Sequence, residues 1–324
     1  MKENNEIAVG IDIGGTYIKA GVIYKSGKII EKVKIETKHI KKNLDLINCI
    51  TRILDEFFIK YPLLNKIGIG APGPLDVNKG IMLKTPNIKG INNCSIISLL
   101  KKKYQKNNIT LFLENDANCA TLGQKYFGIA KKNSNFVVIT LGTGVGGGLI
   151  LNNQLYTGSN NNIFEIGHTH IISQEFLSDR IPLKKCGCGS YGCLETFISI
   201  KGILYYYDFF NKDNINAKKN DDVSKIAQLA QKKYKPAQKT FELAGTSLGI
   251  ALSNIIYLIN PPLIVITGGL SVFSDLFEKK MYDVLKKRLM KAFYQKNRIK
   301  FTNGDENSGI LGAASLCFEK TSQH

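Results

Sequence analysis

Asn135-Phe136-Val137-Val138-Ile139-Thr140-Leu141-Gly142-Thr143-Gly144-Val145-Gly146-Gly147-Gly148 is the stretch whose reading decides the fold. Residues 135–140 are an apolar run of strand length, and the glycines from 142 to 148 read as a turn. Gly142, Gly144 and Gly147 also satisfy G-x-G-x-x-G, but a dinucleotide site of that kind needs a helix directly after the turn. Here Gly148 to Leu151, Asn152-Asn153 and Gln154 to Thr157 read instead as strand, turn and strand. No G-x-x-x-x-G-K-[ST] occurs anywhere, which excludes a P-loop.

The chain begins with the same arrangement. Ile7 to Asp12 is an apolar strand ending on a carboxylate, Gly14-Gly15-Thr16 a tight turn, and Tyr17 to Tyr24 a second strand. Ser26-Gly27-Lys28 makes a second turn and Ile29 to Thr37 a third strand. Two segments about one domain length apart thus set a strand before a glycine turn and a strand after it, an internal repeat in pattern. A third glycine turn, Gly268-Gly269-Leu270-Ser271, follows the buried strand-like run from Ile264. Glycines at such turns let backbone N–H groups reach phosphate oxygens with no Cβ in the way. Elsewhere, Leu44 to Phe58 and Ala117 to Phe127 read as helices and Lys66 to Ala71 as a short buried strand. Leu243 to Ile259 reads as a helix stopped by Asn260-Pro261.

The 324 residues, 44% apolar and 22% charged, suffice for one large domain or two modest ones. The polar N-terminus lacks the apolar stretch of a secretion signal. The longest apolar region, Leu243 to Leu270, is interrupted at Asn260-Pro261-Pro262 into pieces too short to span a bilayer. A cytoplasmic protein without membrane contact is expected. The net charge of +18 comes almost wholly from Lys, with Arg only at positions 52, 180, 288 and 298. Base and phosphate recognition favours the Arg fork, so nucleic acid is not an expected partner, although a basic surface attracts anions such as nucleotides. Cys49, Cys94, Cys119 and Cys317 stand singly, whereas Cys186, Cys188 and Cys193 crowd together. An odd count without a secretion signal points to a metal site rather than a disulfide framework.

Three places carry chemistry. Leu111-Phe112-Leu113 is a strand leading into Glu114-Asn115-Asp116-Ala117-Asn118, and carboxylates at such a strand end mark an active-site edge in α/β folds. Asp116 is the candidate base for removing a hydroxyl proton; equally, an Asp here serves as the N-cap of the following helix. Asp12, at the end of the first strand, is placed to hold Mg²⁺ beside nucleotide phosphates, or is a solvated turn residue. Third, Glu165-Ile166-Gly167-His168 precedes Cys186-Gly187-Cys188-Gly189-Ser190-Tyr191-Gly192-Cys193-Leu194-Glu195. Three thiolates and an imidazole make a closed, structural Zn²⁺ set, with His168 and His170 competing for the fourth position. Such a centre would pin Glu165 and Glu195, which flank it in sequence.

These residues together resemble the ROK family of sugar kinases and sugar-responsive repressors (repressor, open reading frame, kinase). The resemblance also takes in Gly70-Ala71-Pro72-Gly73-Pro74 and Thr85-Pro86-Asn87, and covers almost the whole chain. It implies an α/β fold of two ribonuclease-H-like domains of the actin/hexokinase type with a cleft between them. The smaller domain would comprise residues 1–116 plus 308–324, and the larger residues 117–307 with the zinc site. It further implies ATP-dependent phosphorylation of glucose or a close relative at the 6-hydroxyl, with Asp116 as base. Asn87, Asn115, Asp116, Glu165, His168 and Glu195 would bind the sugar. Asp12, Gly14, Gly15, Thr16, Thr143, Gly144, Gly268 and Gly269 would bind ATP with Mg²⁺, and His168, Cys186, Cys188 and Cys193 would hold zinc. Family analogy implies a homodimer or higher oligomer. The alternatives are a kinase of N-acetylmannosamine or N-acetylglucosamine, and a non-catalytic sugar-sensing regulator. Repressors of the family carry a helix-turn-helix domain before the first strand, for which six residues leave no room. Phe164 beside Glu165, and Ile91 where the family often has Trp, depart from the family pattern and bear on which sugar is taken.

Overall fold

The structure is a computed structural model that describes residues 6–85, 88, 90–159, 161–172, 181–212, 222–302, 304 and 307–319. Alternating apolar residues separated by glycine turns build an antiparallel meander of β1 (Ile7–Ile13), β2 (Tyr17–Tyr24) and β3 (Ile29–Glu36). After α1 (Asn43–Lys60), β4 (Lys66–Ala71) pairs parallel with β1. A small ladder of β5 (Leu75–Asp76) and β6 (Ile81–Met82) and the helix α2 (Ile96–Lys103) lead to β7 (Thr110–Asn115), which pairs parallel with β4. The sheet order is β3-β2-β1-β4-β7. Leu46, Ile50, Leu54 and Phe57 of α1 pack at helical spacing on one face of this sheet.

α3 (Asp116–Tyr126) is followed by β8 (Phe136–Leu141), β9 (Val145–Leu151) and β10 (Gln154–Leu155). Then come α4 (Glu195–Ile198), α5 (Ile200–Phe210), α6 (Val223–Gln231) and α7 (Lys235–Ile259). β11 (Ile264–Thr267), α8 (Glu278–Arg288), β12 (Ile299–Phe301) and α9 (Ser308–Glu319) complete the described elements. The second sheet has the order β10-β9-β8-β11-β12, with β8, β11 and β12 parallel. Each sheet therefore sets a hairpin on one side of its central strand and parallel strands on the other, as the internal repeat requires.

The chain divides into two compact units, one of Met1–Ser134, Gly148–Ile163 and Asp305–His324, the other of Asn135–Gly147 and Phe164–Gly304. Within the first, α9 lies directly on the sheet: a Cβ at Gly68 of β4 would fall 1.9 Å from the Ala313 carbonyl oxygen. Within the second, α7 is the core helix. It is 25 residues long, not the 17 that the sequence indicated, because Pro236 sits in its first turn where its missing N–H costs nothing. That length and composition suffice to cross a bilayer, which corrects the expectation of pieces too short to do so. However, 72% of its apolar window is buried inside the protein.

The glycine run also differs from its reading. Only 142–144 form the turn; Gly146, Gly147 and Gly148 lie inside β9. Their missing side chains serve packing: the position of a Cβ on Gly148 is taken by Thr121 Oγ1 at 2.2 Å.

Candidate active site and metal centre

The parallel register of the first unit lines up Asp12, Gly70 and Glu114 across β1, β4 and β7 at their C-terminal ends, where ligands of open α/β sheets bind. Asp12 faces Lys19 across the β1–β2 ladder, and its Oδ2 lies 2.1 Å from where a Cβ on Gly309 would be, against the first turn of α9. Burial raises the Asp12 carboxyl above its ordinary value, partly offset by the Lys19 ammonium. Gly14, Gly15 and Thr16 close the hairpin: Gly14 N–H donates to the Tyr17 carbonyl at 2.9 Å, and the Thr37 hydroxyl donates to the Gly15 carbonyl at 2.6 Å. Gly15 and Thr16 are exposed.

At the end of β7 the geometry identifies the residue that caps α3. The cap of α3 is Asn115, whose Oδ1 accepts the Ala117 and Asn118 amides at 2.8 and 3.4 Å. Asp116 is the first helical residue, exposed, with Oδ1 also accepting the Ala117 amide at 2.8 Å. Glu114, counted in the sequence among the carboxylates of this edge but given no role of its own, is buried and accepts the Asn115 amide and the Asn118 side-chain amide. Its place in Glu114-Asn115-Asp116 was the available signal, since a carboxylate inside a buried strand needs donors. Cys119 sits behind this edge, its thiol raised by burial and by Glu114, Asp116 and Asp12. Asn87 lies outside the described residues, and Ile91 is buried.

In the second unit, Thr267 pairs with Thr140, so the turn after β11 emerges beside the turn after β8. Gly268 has φ of +102°, and a Cβ there would meet the Leu141 carbonyl oxygen at 2.4 Å. The Leu270 amide donates to that same carbonyl, and Ser271 Oγ lies 2.6 and 2.7 Å from the carbonyl oxygens of Gly268 and Thr302, within reach of its one proton. Ser271 was not singled out in the sequence, yet it holds this turn. Gly142 N–H donates to the Gly144 carbonyl at 2.9 Å, and Thr143 is exposed at the tip.

Glu195 opens α4 and ties this turn to the thiol cluster. Its Oε2 accepts the Val145 amide at 3.2 Å and lies 2.4 Å from where a Cβ on Gly144 would be, while the Cys186 thiol approaches Oε1 at 3.8 Å. The ligand atoms of His168, Cys186, Cys188 and Cys193 all lie within 4.8 Å of one another. His170 instead meets Ser190 Oγ at 2.9 Å, so His168 is the imidazole among the thiols. The spacing fits a tetrahedral ion: Zn–S bonds of about 2.3 Å set sulfurs about 3.8 Å apart, and a Zn–N bond of about 2.0 Å sets nitrogen about 3.5 Å from sulfur. Cys188 and Cys193 sulfurs are 3.7 Å apart, and His168 Nδ1 is 3.5 Å from the Cys186 sulfur. Burial, then the neighbouring thiols, push Cys193 up to about 12, so without a cation it stays a thiol at neutral pH.

Glu165 stands just before the 3₁₀ turn Ile166–His168. Its φ of −69° and ψ of 55° are those of an inverse γ-turn, closed by the Ile166 amide donating to the Phe164 carbonyl at 2.7 Å. Phe164 has φ of +60°, a left-handed backbone that costs an L-residue about 1–2 kcal/mol.

Two sheets of matching strand order, each with a glycine turn after its first strand, define a duplicated α/β protein. The ROK family profile matches residues 8–320. The glucokinase of Thermotoga maritima is 29% identical over 322 residues, 96% of this chain and 97% of its own length. The xylose repressor of Caldicellulosiruptor bescii is 27% identical over 325 residues, 95% of this chain and 77% of its own length. The crystal structure of a ROK hexokinase from Thermus thermophilus matches with a TM-score of 0.83 at 24% identity, over 98% of this chain and 100% of that one. The chain belongs to the ROK family, with two α/β domains of the actin/hexokinase type.

Proposed function

We propose that this protein is an ATP-dependent hexose kinase that phosphorylates glucose or a close relative at the 6-hydroxyl. The observation that carries the reading is the division of labour at the end of β7: Asn115 caps α3, while Asp116 presents an exposed carboxylate beside it. Asp116 takes the proton of the attacking hydroxyl as the phosphoryl group is transferred. Glu165, His168 and Glu195 accept or donate to sugar hydroxyls, as do Asn115, through its side-chain NH₂, and Asn87. His168 uses Nδ1 toward the thiols, which leaves Nε2 for the sugar. The backbone amides around Gly14, Gly15, Thr16, Thr143, Gly144, Gly268 and Gly269 hold the nucleotide phosphates. Asp12 holds Mg²⁺, which supplies charge neutralisation of the triphosphate when bound. Zinc, when bound by His168, Cys186, Cys188 and Cys193, stiffens the turn that carries Glu165 and the start of α4 that carries Glu195. The site calls for no nucleic acid, and the protein works as a cytoplasmic homodimer or higher oligomer.

The likeness to a xylose repressor supports a second reading, a sugar-responsive regulator. An ADP-release assay over a panel of hexoses, including the N-acetylated ones, separates the two readings and names the sugar; specific retardation of DNA with no turnover would favour the regulator. Asp116→Asn is expected to lower kcat at least about 100-fold while sugar affinity stays within about threefold. Retention of more than a few per cent of the activity removes Asp116 from the base role.

A further inference from the structure

Phe164 adopts the left-handed backbone that glycine accepts freely and a bulky side chain rarely does. Such an outlier persists only where its surroundings over-determine it. Here the surroundings are visible. The ring lies on the bare backbone of Gly147 in β9, with Cδ1 and Cε1 at 2.6 and 2.8 Å from where a Cβ on Gly147 would stand. The Phe164 carbonyl closes the γ-turn at Glu165, whose own carbonyl accepts the His168 amide at 3.0 Å. Two residues past Glu165 the turn docks on the same strand, for a Cβ on Gly167 would fall 2.1 Å from the Val145 carbonyl oxygen. Glu165 is thus suspended between two contacts with β9: the Phe164 ring on one side and the Gly167 backbone on the other.

We propose that Phe164 is the positioning residue for Glu165: its ring, seated on Gly147, holds the strained turn that aims the Glu165 carboxylate at the sugar. The proposal rests on the reading of Glu165 as a sugar ligand. It assigns Gly147 a seat for a ring rather than a contact with phosphate. It also treats the left-handed backbone as a cost that the ring contact offsets, so removing the ring while keeping the backbone preference separates the two.

Phe164→Gly does this, since glycine adopts the same φ without strain. The expected result is a melting temperature unchanged or raised, a sugar KM raised about tenfold or more, and kcat changed less than about threefold. Gly147→Ala, which drives a methyl group into the ring, should raise the sugar KM similarly. The Val138 carbonyl oxygen, 3.0 Å from that methyl position, leaves the strand little other room to yield. On the Phe164→Gly background the same Gly147→Ala change should cost less than about threefold, because the ring is no longer there to be displaced. Amide hydrogen exchange at Ile166 and His168 reads the turn without any substrate and should quicken about tenfold or more in Phe164→Gly. A sugar KM within twofold of wild type, additive effects of the two substitutions, or unchanged exchange would each overturn the proposal. If the wild-type protein phosphorylates no hexose, the kinase reading falls by itself, and the exchange measurement decides whether Phe164 holds the turn.

Discussion

Asp12 is a carboxylate in an unfavourable place for a charge. It sits within β1 against the first turn of α9, with Lys19 as its facing cation, and burial dominates its raised affinity for a proton. A carboxyl whose folded value lies above its unfolded value stabilises the fold when protonated, at and below its ordinary value of 3.8; that contribution is lost as pH rises through the higher folded value. The ionised form of Asp12 is therefore the costlier one in the folded protein. Asp12→Asn should raise the melting temperature at pH 7, with the advantage shrinking toward pH 4. It should also raise the KM for Mg·ATP about tenfold or more. Melting curves across that pH range, paired with nucleotide kinetics, check both halves; a variant less stable at pH 7 than at pH 4, relative to wild type, contradicts the sign. The acidic character of this strand end was legible in the sequence. Which of Asn115 and Asp116 caps α3 was not, because both residue types favour N-caps and only the geometry shows which oxygen meets the Asn118 amide.

Among the elements, the strands of the first sheet were read from sequence almost to the residue. Tyr17–Tyr24 and Lys66–Ala71 match their predicted bounds, since glycine turns and apolar alternation act locally. β9 was misread for a long-range reason. Its three consecutive glycines look like a turn, but Gly147 is required by a ring that arrives 17 residues later in the chain. The thiol-bearing segment lies between these cases. The sequence delivered the donors, while the choice of His168 over His170 depended on the fold, which pairs His170 with Ser190 Oγ and sets His168 among the thiols. That segment has little core of its own: Cys188, His168 and His170 are exposed, and Gly187 and Gly189 have open space where a side chain would be. An ion held by the four donors would fix it. Purified protein should contain about one zinc per chain. Cys193→Ser should lose the metal, lower the melting temperature by about 4 °C or more and raise the sugar KM, as a loosened seat for Glu165 and Glu195 implies. Metal analysis and melting curves decide it; a metal-free protein with unchanged stability would dismiss the centre.

At the scale of the whole molecule, the duplicated sheet order was legible because each copy repeats strand, glycine turn and strand. The division into units was less so, because α3 joins the first unit through contacts with α9 some 190 residues away, where Gly123 and Gly312 abut. Charge operates at this scale as well. The 44 Lys and Arg outnumber the 26 Asp and Glu, so a net charge of +18 has no counterpart within the chain. Some Lys are paired, as Lys66 with Glu6 at 2.5 Å and Lys125 with Glu319 at 2.8 Å, but the excess repels itself across the surface. Screening reaches across about 30 Å at 0.01 M salt and about 8 Å at 0.15 M. Repulsion between Lys residues on different elements is therefore felt at the first concentration and largely removed at the second. Ordered ion pairs weaken over the same range, but exposed pairs contribute only about 0–1 kcal/mol each, and the acids to form them are too few. The melting temperature should accordingly rise by about 2 °C or more between the two sodium chloride concentrations, whereas an uncharged solute of equal osmolarity should not reproduce the rise. A melting temperature that falls with salt would mean that attraction between paired charges outweighs the excess, and that the Lys surplus is spaced widely enough to cost the fold nothing.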